Sequence, residues 1–311
     1  MTNFLMCSKK NLEKNLSGKV YIVTGTTSGI GLEIVKQLAS QRATIVCACR
    51  NIEASKKITE SILVNNPNSS IKTIPLNLDS LNSVRDFTKK FLDHFDRLDG
   101  LINNAAVMNT PKSYTEDGFE LQLGTNFLGH FLLTELLLPI LKKNKTGRII
   151  HTSSVFHEKG FINLEDFNFE KRKYSGWEAY YQSKLAQVLY SRHQAKLLKN
   201  SNITSVSIHP GWVQTPLIKH TLPIFFQDYL LYPFLKISGM VDTWHGCQTT
   251  MHCLLDETII ENSGHFYSQV GIYKNKEDKA GGWPMTSPNM QVYDDELCTK
   301  LYDLSHNLVG L

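Results

Sequence analysis

From Lys19 onward the chain switches repeatedly between short, unbroken apolar runs and longer stretches with helical periodicity, and this alternation constrains the fold more than any other feature. KVYIVT (19–24), ATIVCAC (43–49), IKTIPLNL (71–78), LDGLINNA (98–105), RIIHTSS (148–154) and ITSVSIHP (203–210) read as strands, with helical patterns between them, the longest at 117–143 and 177–199. A strand with one wet face alternates apolar and polar residues. These runs do not alternate, so both faces must be covered. Strand and helix in steady succession predict repeated βαβ units, that is, an α/β fold with a doubly wound parallel sheet in three layers, α/β/α.

A chain of 311 residues could hold two domains at about 150 residues each. No linker, low-complexity block or repeat divides it, so a single Rossmann-type domain over 19–311 is expected, after a loosely held tail at 1–18. Hydrophobic residues at 41% and charged residues at 20% match ordinary globular usage. Thirty-three Lys+Arg against 29 Asp+Glu, evenly spread, give +4, which speaks against a nucleic-acid partner. The six cysteines form no CxxC pair and no Cys/His cluster, so they read as reduced thiols, and no metal site is expected. The N-terminus has only a four-residue apolar patch, short of a secretory h-region, which points to a cytoplasmic chain. Residues 222–237 are apolar but contain Asp228, Lys236 and two prolines, and fall short of the ~20 residues of a membrane span.

Directly after the first strand, Thr24-Gly25-Thr26-Thr27-Ser28-Gly29-Ile30-Gly31 opens a helix. Glycines there permit a tight turn, with free N–H groups and a helix N-terminus directed at a pyrophosphate. Gly25, Thr27, Ser28, Gly29, Ile30 and Gly31 are therefore candidate nucleotide contacts. The bland reading is a Gly-rich βα connection. At the end of the second strand stand Arg50 and Asn51, with no carboxylate before Glu53. A guanidinium there suits a 2′-phosphate and favours NADP over NAD, where the alternative is a surface arginine closing a strand.

Tyr180 and Lys184 lie four apart in a helical segment, one turn apart on one face. A neighbouring ammonium favours the phenolate, and a tyrosine that works at neutral pH needs its pKa lowered by about three units. Such pairs also arise by chance on solvated faces. Ser153 and Ser154 end the fifth strand, where a hydroxyl could meet a substrate carbonyl or simply start a loop. Asn126 lies inside an apolar helical pattern, where its amide competes for backbone bonds, and this hints at a buried polar role.

TGTTSGIG (24–31), NNAA (103–106), Asn126, SS (153–154), YYQSK (180–184) and HPGWVQT (209–215) together resemble, in order and spacing over roughly 18–270, the single-domain short-chain dehydrogenase/reductases. Within that family ACRN, NFLGHFLLTELLLPIL, AYYQSKLAQVL and KLYDLSHNLVGL look most like the retinol dehydrogenase branch, whose members reduce retinal and other lipophilic carbonyls with NADPH. The resemblance implies that Tyr180 exchanges the proton, that Lys184 lowers its pKa and holds the nicotinamide ribose, that Ser154 polarises the carbonyl, and that Asn126 holds a relay water linking Lys184 to solvent. By the same resemblance Gly25, Ser28, Gly29, Ile30 and Gly31 wrap the pyrophosphate, Arg50 meets the 2′-phosphate, and Asn103 with Ala105 borders the adenosine. Pro210, Gly211, Val213 and Thr215 would border the nicotinamide. In the family's D-L pair after the third strand the chain has Asn77 and Leu78; the Asn77 carbonyl can still accept from adenine.

An insertion at about 213–240, rich in Phe225, Phe226, Tyr229, Tyr232 and Phe234, reads as a substrate lid over a small lipophilic ligand. Packing on the domain, or peripheral contact with a membrane surface flanked by Lys219 and Lys236, are the alternatives. The apolar face within 117–143 suits a homodimer contact or plain core. His130, His151, His157 and His209 form no ligand set and read as structural or surface residues. The expected function is an NADP(H)-dependent oxidoreductase acting on a lipophilic aldehyde, ketone or alcohol. The competing class is a nucleotide-bound scaffold or redox sensor of the same fold.

Overall fold

A computed structural model describes residues 4–144, 146–213, 241–271 and 280–311. Its eight strands form one sheet: β1 Val20–Thr24, β2 Thr44–Cys49, β3 Ser70–Pro75, β4 Gly100–Asn103, β5 Gly147–Thr152, β6 Ile203–His209, β7 Phe266–Val270 and β8 Ala280–Met285. The spatial order is β3-β2-β1-β4-β5-β6-β7-β8. β1 to β7 run parallel, and β8 returns antiparallel beside β7.

Successive side chains in a strand point to opposite faces, and here both sets are fully buried. Ile22, Val46, Leu101 and Ile149 enter one core, while Val23, Cys47, Ile102 and Ile150 enter the other. This is why the strands read as unbroken apolar runs. The first face is covered by α3 (Leu81–Leu92), α4 (Leu121–Lys143), α5 (Gly176–Leu197) and α7 (Asp295–Leu308). The second is covered by α1 (Gly29–Ser40), α2 (Ile52–Asn65) and α6 (Thr243–Leu255). The expected three-layer α/β/α sandwich is the observed one.

α4, at 23 residues, is long and apolar enough to cross a bilayer by length and composition, but 72% of its apolar window is buried in the fold. Its apolar face is core. Residues 4–18 are docked rather than loose. Asn11 Nδ2 donates to Asp256 Oδ2 at 2.8 Å, Lys14 Nζ to the Leu255 carbonyl at 2.7 Å, and Gln41 Nε2 to the Asn11 carbonyl at 2.8 Å. Cys7 and Leu16 are buried, and the segment packs against α6 through the Cys7 N–H to Gln248 Oε1 and against α1 through Gln37 Nε2 to the Leu12 carbonyl. All six cysteines are buried and unpaired.

β1 and β4 are neighbours in space but separated in sequence by the excursion through β2 and β3. At such a switch point the crossovers leave to opposite sides, and a crevice opens beyond the carboxyl ends of the strands.

Candidate active site

That crevice is a cavity of about 480 Å³ walled by the loops that follow β1 to β6. In the loop after β1, Gly25 and Gly29 adopt left-handed backbone, φ +72° and +60°, which glycine tolerates without strain. A Cβ on Gly31 would run into the Gly25 carbonyl and lie 2.7 Å from Asn104 Nδ2, so the turn closes this tightly only over a glycine. Ser28 occupies the N-cap of α1 without making a side-chain capping bond. The first-turn N–H groups of α1 are thus left without a side-chain cap at the cavity wall formed by Ser28, Gly29 and Ile30. Uncapped donors, a positive helix end and a tight turn fit the pyrophosphate of a dinucleotide.

Other sequence-predicted contacts gather on the same wall. Thr27, Arg50, Asn51, Asn77, Leu78, Ala105, Pro210, Gly211 and Val213 all line the cavity. Arg50 is exposed at its rim, and Asn51 caps α2 through Oδ1 to the Ala54 N–H at 2.9 Å. Asn103 is a correction: it faces inward, donating to Thr134 Oγ1 at 2.8 Å, and it is Asn104 that lines the cavity. The strand ends at Asn103, so its alternation fixes that residue in the core and releases the next one. Thr215 and all of the expected lid except Val213 lie outside the described residues.

The fifth-strand serines divide their work. Ser153 Oγ donates to the Lys184 carbonyl at 2.7 Å, pinning α5 to the end of β5. Ser154 Oγ accepts from the Phe156 N–H at 3.2 Å and keeps its own proton to donate; it lines the same cavity as the Tyr180 hydroxyl. Tyr180, 4% exposed, and Lys184, 1% exposed, share the cavity wall with Ser154, the lysine Nζ lying 5.6 Å from the tyrosine ring centre. Lys184 Nζ donates to the Thr152 carbonyl at 2.8 Å and to Gln187 Oε1 at 3.1 Å. Phe156, Trp212 and Met108 also line this end, and Phe156 meets Trp177 and Trp212 edge-on at 5.6 and 5.3 Å, so the approach to the hydroxyls is largely apolar.

Electrostatics here differ from the sequence expectation. Burial pushes the Tyr180 phenol up, and only the Ser154 hydroxyl opposes it. Burial also pulls the Lys184 ammonium down to about 7. Both groups are shut into a low-dielectric interior that disfavours charge. His130 and His209 are held down to about 3 by burial and the like charge of Lys184, and His151 and His157 to about 4 by burial. All four are buried and uncharged rather than at the surface.

Asn126 occupies a π-helical turn, Gly124–Leu128, inside α4. Its side chain clamps Val107 in both directions, accepting the N–H at 2.8 Å and donating to the carbonyl at 2.9 Å, and donates to Ser183 Oγ at 3.0 Å. One amide therefore ties the loop after β4 to the helix that carries Tyr180. Gln187, Asn104 and Thr24 were not singled out by sequence. Gln187 lies at i+3 from Lys184, the one spacing that could have flagged it. Among the described residues no cluster of His, Cys, Asp and Glu could hold a metal.

The fold and this cavity define a nucleotide-dependent α/β oxidoreductase. The profile of the short chain dehydrogenase family matches residues 19–223, and the chain belongs to that family, which uses nicotinamide coenzymes. Human retinol dehydrogenase 11 is 37% identical over 296 residues, covering 95% of this chain and 87% of that one. Human retinol dehydrogenase 12 is 41% identical over 253 residues, covering 81% and 78%. A crystal structure of an uncharacterised protein from Mycobacterium paratuberculosis superposes with a TM-score of 0.74 at 29% identity, covering 95% of both chains.

Proposed function

We propose that the chain is an NADPH-dependent reductase of lipophilic aldehydes and ketones, of which retinal is a representative, with Asn126, Ser154, Tyr180 and Lys184 as its catalytic group and 19–311 as one domain. The observation that carries this reading is the convergence of the Tyr180 and Ser154 hydroxyls in one cavity beside the buried Lys184, under the apolar approach of Phe156 and Trp212. Relatives named as retinol dehydrogenases support the lipophilic class.

NADPH, when bound, supplies the hydride. Ser28, Gly29 and Ile30 would hold its pyrophosphate, Arg50 the 2′-phosphate, Asn77 the adenine, and Pro210, Gly211 and Val213 the nicotinamide. Ser154 donates a hydrogen bond to the substrate carbonyl oxygen. Tyr180 passes its phenolic proton to that oxygen as negative charge develops there, a transfer worth about 10²- to 10⁴-fold. Raised by burial, Tyr180 stays protonated at neutral pH and serves as the acid of the reductive direction. An ammonium has three donors, and two are fixed by Thr152 and Gln187, which leaves one for the nicotinamide ribose.

A screen of coenzyme oxidation tests the reading, pairing NADPH and NADH with retinal, medium-chain aldehydes, aromatic ketones and hexoses. Turnover with NADPH on the lipophilic carbonyls, at least about tenfold above hexoses, is expected; a missing methylene alone is worth about that much in an apolar pocket. Tight NADPH binding with no turnover on any carbonyl would favour the scaffold or redox-sensor reading instead.

A further inference from the structure

The Asn126 main-chain carbonyl accepts from two side chains, His130 Nδ1 at 3.0 Å and Gln187 Nε2 at 2.8 Å. A carbonyl oxygen has two lone pairs, and both are engaged. The other end of the Gln187 amide, Oε1, accepts from Lys184 Nζ at 3.1 Å. Gln187 is 1% exposed, so the bridge is sealed from solvent. Its orientation is forced, since the carbonyl can only accept and the ammonium can only donate. A glutamine amide donates at one end and accepts at the other whatever the pH.

The His130 branch is equally determined. Because the Asn126 carbonyl only accepts, Nδ1 carries the imidazole proton, and Nε2 accepts from Thr24 Oγ1 at 2.9 Å. That hydroxyl in turn accepts the N–H groups of Asn104 and Ala105 at 2.8 and 2.9 Å, on the cavity wall. An unbroken chain of directed hydrogen bonds therefore runs from the nucleotide wall through Thr24, His130, the π-turn and Gln187 to Lys184.

We propose that Gln187 is a positioning residue of this site: its amide couples the Lys184 ammonium directly to the Asn126 main-chain carbonyl. The role given to Lys184 rests on the reading above, whereas the bridge itself does not. Two of the three ammonium donors are aimed by protein groups, and the third is left pointing by elimination.

The test is a titration of Lys184 in the coenzyme-free, full-length protein carrying ¹³C at the lysine ε-carbons, followed by NMR, with the Lys184 signal identified by its loss in Lys184→Met. Tyr180 from α5, His130 from α4 and His209 from β6, with His157 behind it, are the titratable groups around it; the three histidines stay neutral above pH ~5. Gln187→Met, nearly isosteric, removes an acceptor and is expected to lower the Lys184 midpoint by about 1 unit, and Gln187→Glu adds a carboxylate and is expected to raise it by about as much. In turnover, Gln187→Met is expected to lower kcat about tenfold with KM for NADPH changed by less than about threefold. Midpoints unmoved within about 0.2 unit in both variants, or moved in the same direction, would overturn the bridge, as would equal losses of melting temperature with no titration change. If Gln187→Met does not fold, Gln187→Glu decides alone. Shifted midpoints in a protein that reduces no carbonyl would uphold the bridge and reject the catalytic reading.

Discussion

Replacing Tyr180 with phenylalanine is expected to lower kcat by about 10³-fold while the Kd for NADPH stays within about twofold, because the change removes the proton donor and little else. The ring is buried, with the ring centres of Phe156 and Trp177 6.4 and 6.5 Å from its own, and phenylalanine keeps those contacts and the Lys184 ammonium 5.6 Å from the ring centre. What is lost is one hydroxyl that shares the cavity wall with Ser154. A single hydrogen-bonding group lost in this way costs about 1 kcal/mol of stability, too little to unfold the chain. Stopped-flow turnover with a lipophilic aldehyde, alongside NADPH fluorescence titration, reads both quantities. Turnover retained within tenfold would remove Tyr180 from its role.

The second large effect is on coenzyme choice. Arg50→Asp is expected to lower the ratio of kcat/KM for NADPH over NADH by about 10²- to 10³-fold. A charge-assisted bond to a phosphate contributes about 1.5–3 kcal/mol, and a carboxylate in its place adds repulsion. Against NADH the same carboxylate can accept from the ribose hydroxyls, so that arm should improve. Arg50 is exposed at the cavity rim and forms no ion pair among the described residues, so its replacement leaves the fold alone. Steady-state kinetics with both coenzymes decide the matter, and an unchanged ratio would show that the 2′-phosphate is read elsewhere.

Periodicity carried the fold a long way. All six strands expected from unbroken apolar runs form, and the two long helices begin and end within a few residues of their patterns. β7 and β8 were not anticipated: FYSQV is short and mixed, and AGGWPM is glycine-rich, so neither offers a period, and their pairing depends on β6 being in place. The N-terminal segment reads as a tail because it offers one short apolar patch and no periodic pattern. Its anchoring comes from Asn11, Lys14 and Gln41, polar bonds to distant parts of the chain that local patterns do not encode.

The site was legible in part. The glycine turn, Arg50 and the Tyr180/Lys184 pair, singled out by motif and context, line one cavity, and Ser153 is committed to α5 while Ser154 faces that cavity. At the strand end one residue reverses the face, so Asn103 turns inward to Thr134 while Asn104 lines the cavity. The direction of the Tyr180 shift was not legible either, since spacing reports that a lysine is near but not that both groups are buried. Gln187 carries no signal in the sequence beyond its spacing from Lys184, because a glutamine in a helix is ordinary and only its two partners, Lys184 and the Asn126 carbonyl, distinguish it.

The most direct test of the account is isotopic. A lipophilic aldehyde reduced with NADPH that carries deuterium in the pro-S position of nicotinamide C4 should yield alcohol with deuterium on the former carbonyl carbon. Deuterium remaining on the coenzyme product, with pro-R transfer to the substrate, would contradict the placement of the nicotinamide against Pro210, Gly211 and Val213. Absence of label transfer from either position would contradict the oxidoreductase mechanism itself.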